Sequence, residues 1–271
     1  MKEYSDKISL VKNSRGISCL DTSIGCSSGL SKNERGCYGD CYAAKSAKIY
    51  GYDFSKTVLR QFKSEKHKRD IISQINKINL DFVRIGASGD PSENWEHTLS
   101  ILKVISKSNK QIVIITKHWT NLTYSQLEVI GKMNVVFNTS ISALDEMNLL
   151  NNSLDQYNRI KKYCKSLLRI VSCDFNLNNE TGHKLHKLQV ELFKNEGVID
   201  TIFRPNKNNP LVLSGVVNVK YGNFLGNKTL LSKYNPKTYS GKCSTCLEMC
   251  GVKIPVSHQY KSTIIHQGTL F

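Results

Sequence analysis

A chain of 271 residues with 39% hydrophobic content is long enough to bury a core, as one large domain or two small ones. Its 38 Lys and Arg against 22 Asp and Glu leave a net charge of +16, which favours an anionic partner, nucleic acid being the commonest. No apolar run reaches the length of about eighteen residues that a membrane helix needs, and Met1-Lys2-Glu3-Tyr4-Ser5-Asp6-Lys7 lacks the apolar stretch of a secretory signal. A cytoplasmic protein is expected, in which thiols ligate metal more readily than they pair as disulfides.

In chain order, short β-like runs alternate with longer amphipathic stretches. A strand at 16–23 precedes a helix at 42–50 and another at 56–78. Strand 82–86 leads to helix 95–106, strand 112–116 to helix 125–131, and strand 135–140 to helix 154–162. Strand 167–173 is followed by helix 184–195, and strand 199–204 closes the series. Six such steps predict an α/β fold, a partial (β/α)6 barrel whose parallel strands carry helices on their outer face. Residues 205–271 break the rhythm with Pro205, Pro210, Pro236 and Pro255, so a barrel over 1–204 and a C-terminal appendage over 205–271 are expected.

In parallel folds, chemistry collects where strands end. Those ends are polar here: Gly86-Ala87-Ser88-Gly89-Asp90, Thr116-Lys117-His118-Trp119, Asn138-Thr139-Ser140, Ser172-Cys173-Asp174 and Arg204-Pro205-Asn206. Trp95 and Trp119 either stack on a base or pack in the core. Cys164 reads as a core residue and Cys173 as a rim candidate or a core one.

Most of the nine cysteines fall in two groups. Cys26, Cys37 and Cys41 are spaced C-x10-C-x3-C. Three thiolates leave one iron of a 4Fe-4S cluster open to a non-protein ligand, whereas zinc wants a fourth ligand, for which Cys19 is available. The open-iron arrangement is the one used by radical S-adenosylmethionine (SAM) enzymes, whose usual C-x3-C-x2-C differs from this spacing; Ala44 stands where a third close cysteine would be. Near the other end, Cys243, Cys246, Cys250 and His258 present four soft or borderline ligands. They fit a structural zinc, with a second iron–sulfur cluster as the alternative and His266 as a rival to His258.

The runs from Phe82 to Pro91, Ile114 to His118 and Asn138 to Asp145 resemble the barrel of spore photoproduct lyase-like radical SAM proteins. Cys37-Tyr38-Gly39-Asp40-Cys41-Tyr42-Ala43, with the late cysteines and His258, is similar to phage and plasmid proteins related to the mycobacteriophage gene 88 product. The resemblance covers most of residues 17–260. It implies a radical SAM type of barrel with a metal-stapled appendage, and a 4Fe-4S cluster on Cys26, Cys37 and Cys41. It further implies SAM beside Gly86, Ser88, Gly89 and Asp90, with Asn138 and Ser140 on its ribose. Lys117 and His118 would meet a substrate phosphate or the SAM carboxylate.

The leading expectation is therefore a radical-SAM-like enzyme that modifies or repairs nucleic acid, DNA ahead of RNA. A second is a zinc-containing base-exchange enzyme similar to tRNA-guanine transglycosylases, with Asp90 or Asp174 as nucleophile. A third is a non-enzymatic DNA-binding accessory protein. The terminal Gln267-Gly268-Thr269-Leu270-Phe271 resembles the Q-x-x-L-F peptide that docks on the bacterial sliding clamp.

Overall fold

The computed structural model describes residues 2–30 and 36–254. His258, His266 and the clamp-like tail Gln267 to Phe271 lie outside the described residues.

The chain opens with three two-residue strands, β1 (Val11–Lys12), β2 (Ser18–Cys19) and β3 (Ser23–Ile24), and a single turn, α1 (Ser27–Leu30). Helix α2 (Tyr42–Tyr50) and strand β4 (Val58–Leu59) follow, then helix α3 (Glu65–Asn76). From there strands and helices alternate: β5 (Phe82–Ile85), α4 (Trp95–Ile105), β6 (Gln111–Thr116), α5 (Tyr124–Gly131), β7 (Val135–Ile141) and α6 (Met147–Ile160). The series ends with β8 (Lys165–Ser172), α7 (Glu180–Phe193) and β9 (Val198–Ile202). A short α8 (Pro210–Leu213) and a hairpin of β10 (Lys220–Phe224) and β11 (Asn227–Leu231) complete the named elements.

The main sheet has seven strands in the order β1-β2-β5-β6-β7-β8-β9. From β2 onward every neighbour is parallel; β1 alone is antiparallel to its partner. The parallel steps match the predicted alternation. The sheet keeps two edges, β1 and β9, so it is open among the described residues and not a closed barrel.

Alternate strand residues explain how the two faces are covered. Val83, Ile85, Ile112, Ile114, Val135 and Phe137 pack against apolar stripes from α3, α4 and α5, including Ile71, Leu102 and Leu127. Ile141, Leu168 and Ile170 pack on Leu150 and Leu154 of α6 and Leu188 and Leu192 of α7. Phe82, Val113, Val136, Leu167 and Ile199 point the other way and meet Cys19, Cys243, Met249 and Cys250. One face is thus covered by helices, as right-handed crossovers require. The opposite face is sealed by the segment around 243–254, where Asn138 Nδ2 donates to Cys250 O at 2.9 Å and Lys165 Nζ to Val252 O at 3.0 Å.

Three predicted elements change most at their boundaries. The strand expected at 16–23 splits into β2 and β3, because Asp21 between them turns its carboxylate onto the 86–88 loop. The helix expected at 56–78 begins only at Glu65: Ser64 caps it by accepting the His67 N–H, and Val58–Leu59 instead pairs with β3. The helix expected at 154–162 starts earlier, at Met147. Asn148, Asn151 and Asn152 disguise that start, since asparagine is a poor helix former. Burial of Leu150, Leu154 and Tyr157 overrides it, at about 1.5–3 kcal/mol for each large apolar side chain.

Candidate functional site

Two inward-facing carboxylates shape the rim at the strand ends. Asp21 Oδ1 accepts the backbone N–H groups of Gly86 at 3.1 Å and Ala87 at 2.7 Å, and Oδ2 accepts that of Ser88 at 2.9 Å. Asp90 Oδ1 accepts from Ser92 N at 2.9 Å, Ser92 Oγ at 2.7 Å and Thr116 Oγ1 at 2.6 Å; Oδ2 accepts from Lys117 N at 2.7 Å. Burial raises the pKa of both acids, and these hydrogen bonds offset only part of the rise.

This corrects the expected role of the 86–90 loop. Asp90 ties the end of β5 to the end of β6 and is not turned toward a ligand ammonium. Gly86, at φ +89°, and Gly89 lie where the chain passes close to the backbone of Ile115, Ser23 and Gly25, where a side chain would clash. Ser88 stays half-buried on the rim, its carbonyl accepting from Gly25 N.

The early thiols gather beside this loop. Cys26 follows β3 and accepts the Gly29 N–H at 3.3 Å; its thiol donates to Glu93 Oε1 at 3.6 Å. Cys37 opens the tight turn Cys37–Gly39, and Cys41 is the N-cap of α2. Gly29 is wedged between two sulfurs: a Cβ there would lie 2.7 Å from Cys26 Sγ and 3.6 Å from Cys37 Sγ. Burial pushes the Cys37 thiol up to about 11, with Lys117 opposing and Cys41, Asp145 and Asp90 reinforcing that rise. Burial likewise raises Cys26 far above the ordinary thiol range, and Asp90 adds to it.

Among the described residues no three Cys, His, Asp or Glu side chains converge closely enough to hold one metal ion. A single tetrahedral ion needs its thiolates about 2.3 Å from the metal. In a multi-iron cluster each thiolate binds a different iron, so the sulfurs stand apart. The sulfurs of Cys26 and Cys37 flank Gly29, and only that of Cys37 borders the neighbouring cavity, a separation that suits ligands of different irons better than ligands of one ion.

That cavity is about 350 Å³ and is lined by Cys37, Tyr38, Lys117, Trp119, Asp145 and Asn209 among others. Lys117 Nζ pairs with Asp145 Oδ1 at 2.6 Å and lies 4.7 Å from the centre of the Tyr38 ring. Asn209 Nδ2 donates to the backbone carbonyl of Tyr38 at 2.9 Å, which fixes the turn that carries this ring. Lys117 therefore lines this cavity.

His118 does not. It is fully buried at φ +55°, between Trp95 and Phe137, with Nε2 3.0 Å from Thr139 Oγ1. Burial pushes it down to about 3, so it is a neutral core histidine. Trp95 is likewise core, donating Nε1–H to Thr120 O at 2.8 Å, whereas Trp119 lines the cavity. Asn138 is fully buried on the sealed face against Cys250 and has no access to a ribose; Ser140 remains half-buried near the end of β7.

The late thiols lie on the sealed face. Cys243 and Cys250 are buried and Cys246 is half-buried, so a closed zinc site built on these three is not assembled among the described residues. Cys19 belongs to the same packed group and is pushed up to about 11 by burial, which the nearby Arg84 opposes. Cys173 is a core residue, its N–H bonded to Gln189. Asp174 is committed to Asn218 after β8 and shares no site with Asp90. The sequence reading missed Asp21, Tyr38 and Asp145. Nothing local marks any of the three, since Asp21 sits among polar neighbours such as Thr22 and Ser23.

No family model matches the chain, and no curated protein matches it. Its fold is similar to two solved structures of spore photoproduct lyase mutants. One carries bound AdoMet and dinucleoside spore photoproduct, at 13% identity and a TM-score of 0.46, over 85% of this chain and 72% of that one. The other carries dinucleoside spore photoproduct, at 10% identity and a TM-score of 0.47, over 86% and 72%. A likeness this distant assigns no chemistry, and the relation to gene 88 proteins rests on the cysteine pattern alone.

Proposed function

We propose that this chain is a radical-SAM-like iron–sulfur enzyme that modifies or repairs nucleic acid, with DNA ahead of RNA as substrate. One observation supports the proposal: the sulfurs of Cys26 and Cys37 flank Gly29, Cys41 caps the following helix, and Cys37 lines a cavity that also holds a buried lysine and two aromatic rings.

Cys26, Cys37 and Cys41 would hold the cluster, which when bound supplies an electron to SAM and so a carbon radical. Half-buried Ser88 and Ser140 keep the proposed SAM contacts. Lys117, fixed by Asp145, presents positive charge to an anionic group in the cavity, in a setting where water is partly excluded. Tyr38 and Trp119 offer faces on which a base can stack. Asp21 and Asp90 keep the rim rigid, so these groups need not reorganise when a ligand enters. Base exchange loses its support, because Asp90 is tied down by four hydrogen bonds.

The test is anaerobic reconstitution. A brown protein with about four irons per rim site, lost in Cys37→Ala and Cys37→Ser but kept in Cys246→Ser, is the expected outcome. Reductant-dependent turnover of SAM, raised by single-stranded DNA, should accompany it. A colourless protein that takes up only zinc, or iron content unchanged by loss of Cys37, overturns the proposal.

A further inference from the structure

Three half-buried arginines converge at the edge of the sealed face, where none is used by the thiol site. Arg15 precedes β2, Arg169 lies on β8 and Arg204 follows β9. The guanidinium carbons of Arg204 and Arg15 lie 4.0 Å and 5.6 Å from the centre of one ring, Phe224 of β10. Arg15 also donates Nε–H to Gly241 O at 3.2 Å. Arg169 reaches Thr201 Oγ1 at 3.1 Å and Cys250 Sγ at 3.6 Å.

Among the described residues these arginines make no ion pair with a carboxylate. Glu248 is near enough to feel the charge of Arg169, but it is drawn more strongly by its own burial. Arg204 is held below its usual basicity by burial first, then by Arg15 and Arg169. A ring face attracts a cation yet leaves its charge uncancelled. Desolvating like charges side by side is unfavourable, and an arrangement of this kind is relieved by an anion.

We infer that Arg15 and Arg204, which share the ring of Phe224, form with Arg169 a phosphate-binding site for the backbone of a polynucleotide strand. Guanidinium forks match phosphate oxygens two at a time, and the shared ring holds two of these guanidinium groups near one another. The site stands on charge and geometry and does not require the iron centre.

Fluorescence anisotropy with a labelled single-stranded oligodeoxynucleotide tests it, on the full chain with and without reconstituted iron. Arg204→Gln is expected to weaken binding about tenfold at low salt, and the Arg15→Gln/Arg204→Gln pair to flatten the log–log salt slope by about 1.4, at about 0.7 per phosphate contact. Phe224→Leu keeps every charge but releases the spacing, and a loss of about threefold is expected. Lys103→Gln, on the exposed side of α4, should change affinity less than about twofold. A strand with neutral methylphosphonate links should bind poorly, and millimolar inorganic phosphate should compete.

Where the double variant fails to fold, Phe224→Leu and Arg204→Lys carry the test, each expected to bind more weakly at unchanged melting temperature. The inference is overturned by folded variants that keep wild-type affinity and salt slope, by equal binding of the neutral strand, or by a mononucleotide that binds more tightly than the strand. Because iron-free protein serves for every arm, failure of the radical chemistry and failure of this site give different results.

Discussion

The two cysteine groups look alike in sequence and differ in their surroundings. Cys37 stands on a tight turn next to a cavity, within reach of the charges of Lys117 and Asp145, and Cys41 on the helix N-cap that follows. Cys243 and Cys250 also stand on tight turns, but they are pressed against the sheet under Asn138 and Arg169. A thiol beside a polar, hollow rim is placed to do chemistry. One sealed among Leu167, Val136 and Met249 is placed to hold a face closed. Close spacing proposes a ligand set; burial and access separate an open centre from a staple.

Exchange of single residues should separate the two groups most clearly. Cys37→Ala is expected to abolish SAM turnover, a loss beyond about a hundredfold, while thermal stability changes little. Cys250→Ala should do the reverse: activity per folded molecule is kept, and urea melts show about 1–3 kcal/mol lost to a cavity on the sealed face. If both variants lose iron equally and both stay stable, the distinction between the groups fails.

Lys117→Met comes next. It leaves Asp145 buried without its partner, since the two side chains are 9% and 4% exposed, and should cost about 3–5 kcal/mol in denaturant melts. A Lys117→Met/Asp145→Leu pair should recover most of that stability without recovering DNA-stimulated turnover. Recovery of turnover would show that the lysine only packs.

Asp21→Asn should cost about 1–3 kcal/mol by weakening the grip on three rim N–H groups. Hydrogen exchange at Gly86, Ala87 and Ser88 should rise, while amides on the sealed face stay protected. Equal exchange at both places would mean that Asp21 is not what stiffens the rim.

The smallest effect concerns pH. His118 is held near 3 in the folded protein, against about 6.5 when unfolded. The unfolded chain therefore binds the extra proton first, and stability falls as pH drops from about 6.5 toward 3, by at most about 1.4 kcal/mol per unit. Gln in place of His118 removes that dependence. The stability gap between wild type and His118→Gln should narrow as melts are moved from neutral pH to about pH 5. A constant gap would place a charged histidine at 118.

Particular elements show what could be read in advance. Helix 42–50 was found at its observed bounds, because Gly51, at φ +80°, ends it and Cys41 begins it. The strands β5 to β9 were legible because runs such as Gln111–Thr116 are apolar on both faces. Lys117 was legible as a strand-end residue, yet His118 beside it was not, since one residue along a chain reverses the direction of the side chain. Asp145 and Tyr38 left no local signal, being defined only by what they touch.

Composition and strand periodicity are properties of neighbouring residues, and from them followed the parallel α/β plan and the excess of positive charge. Long-range contacts were needed for the rest. They alone turned Asp90 into a tie between two strands, sank His118 into the core and laid Cys250 over the open face of the sheet. They also drew Arg15 and Arg204, at opposite ends of that sheet, onto a single ring. Such pairings depend on which side chains exclude water together, and that is settled when distant segments pack, not when they are spelled out.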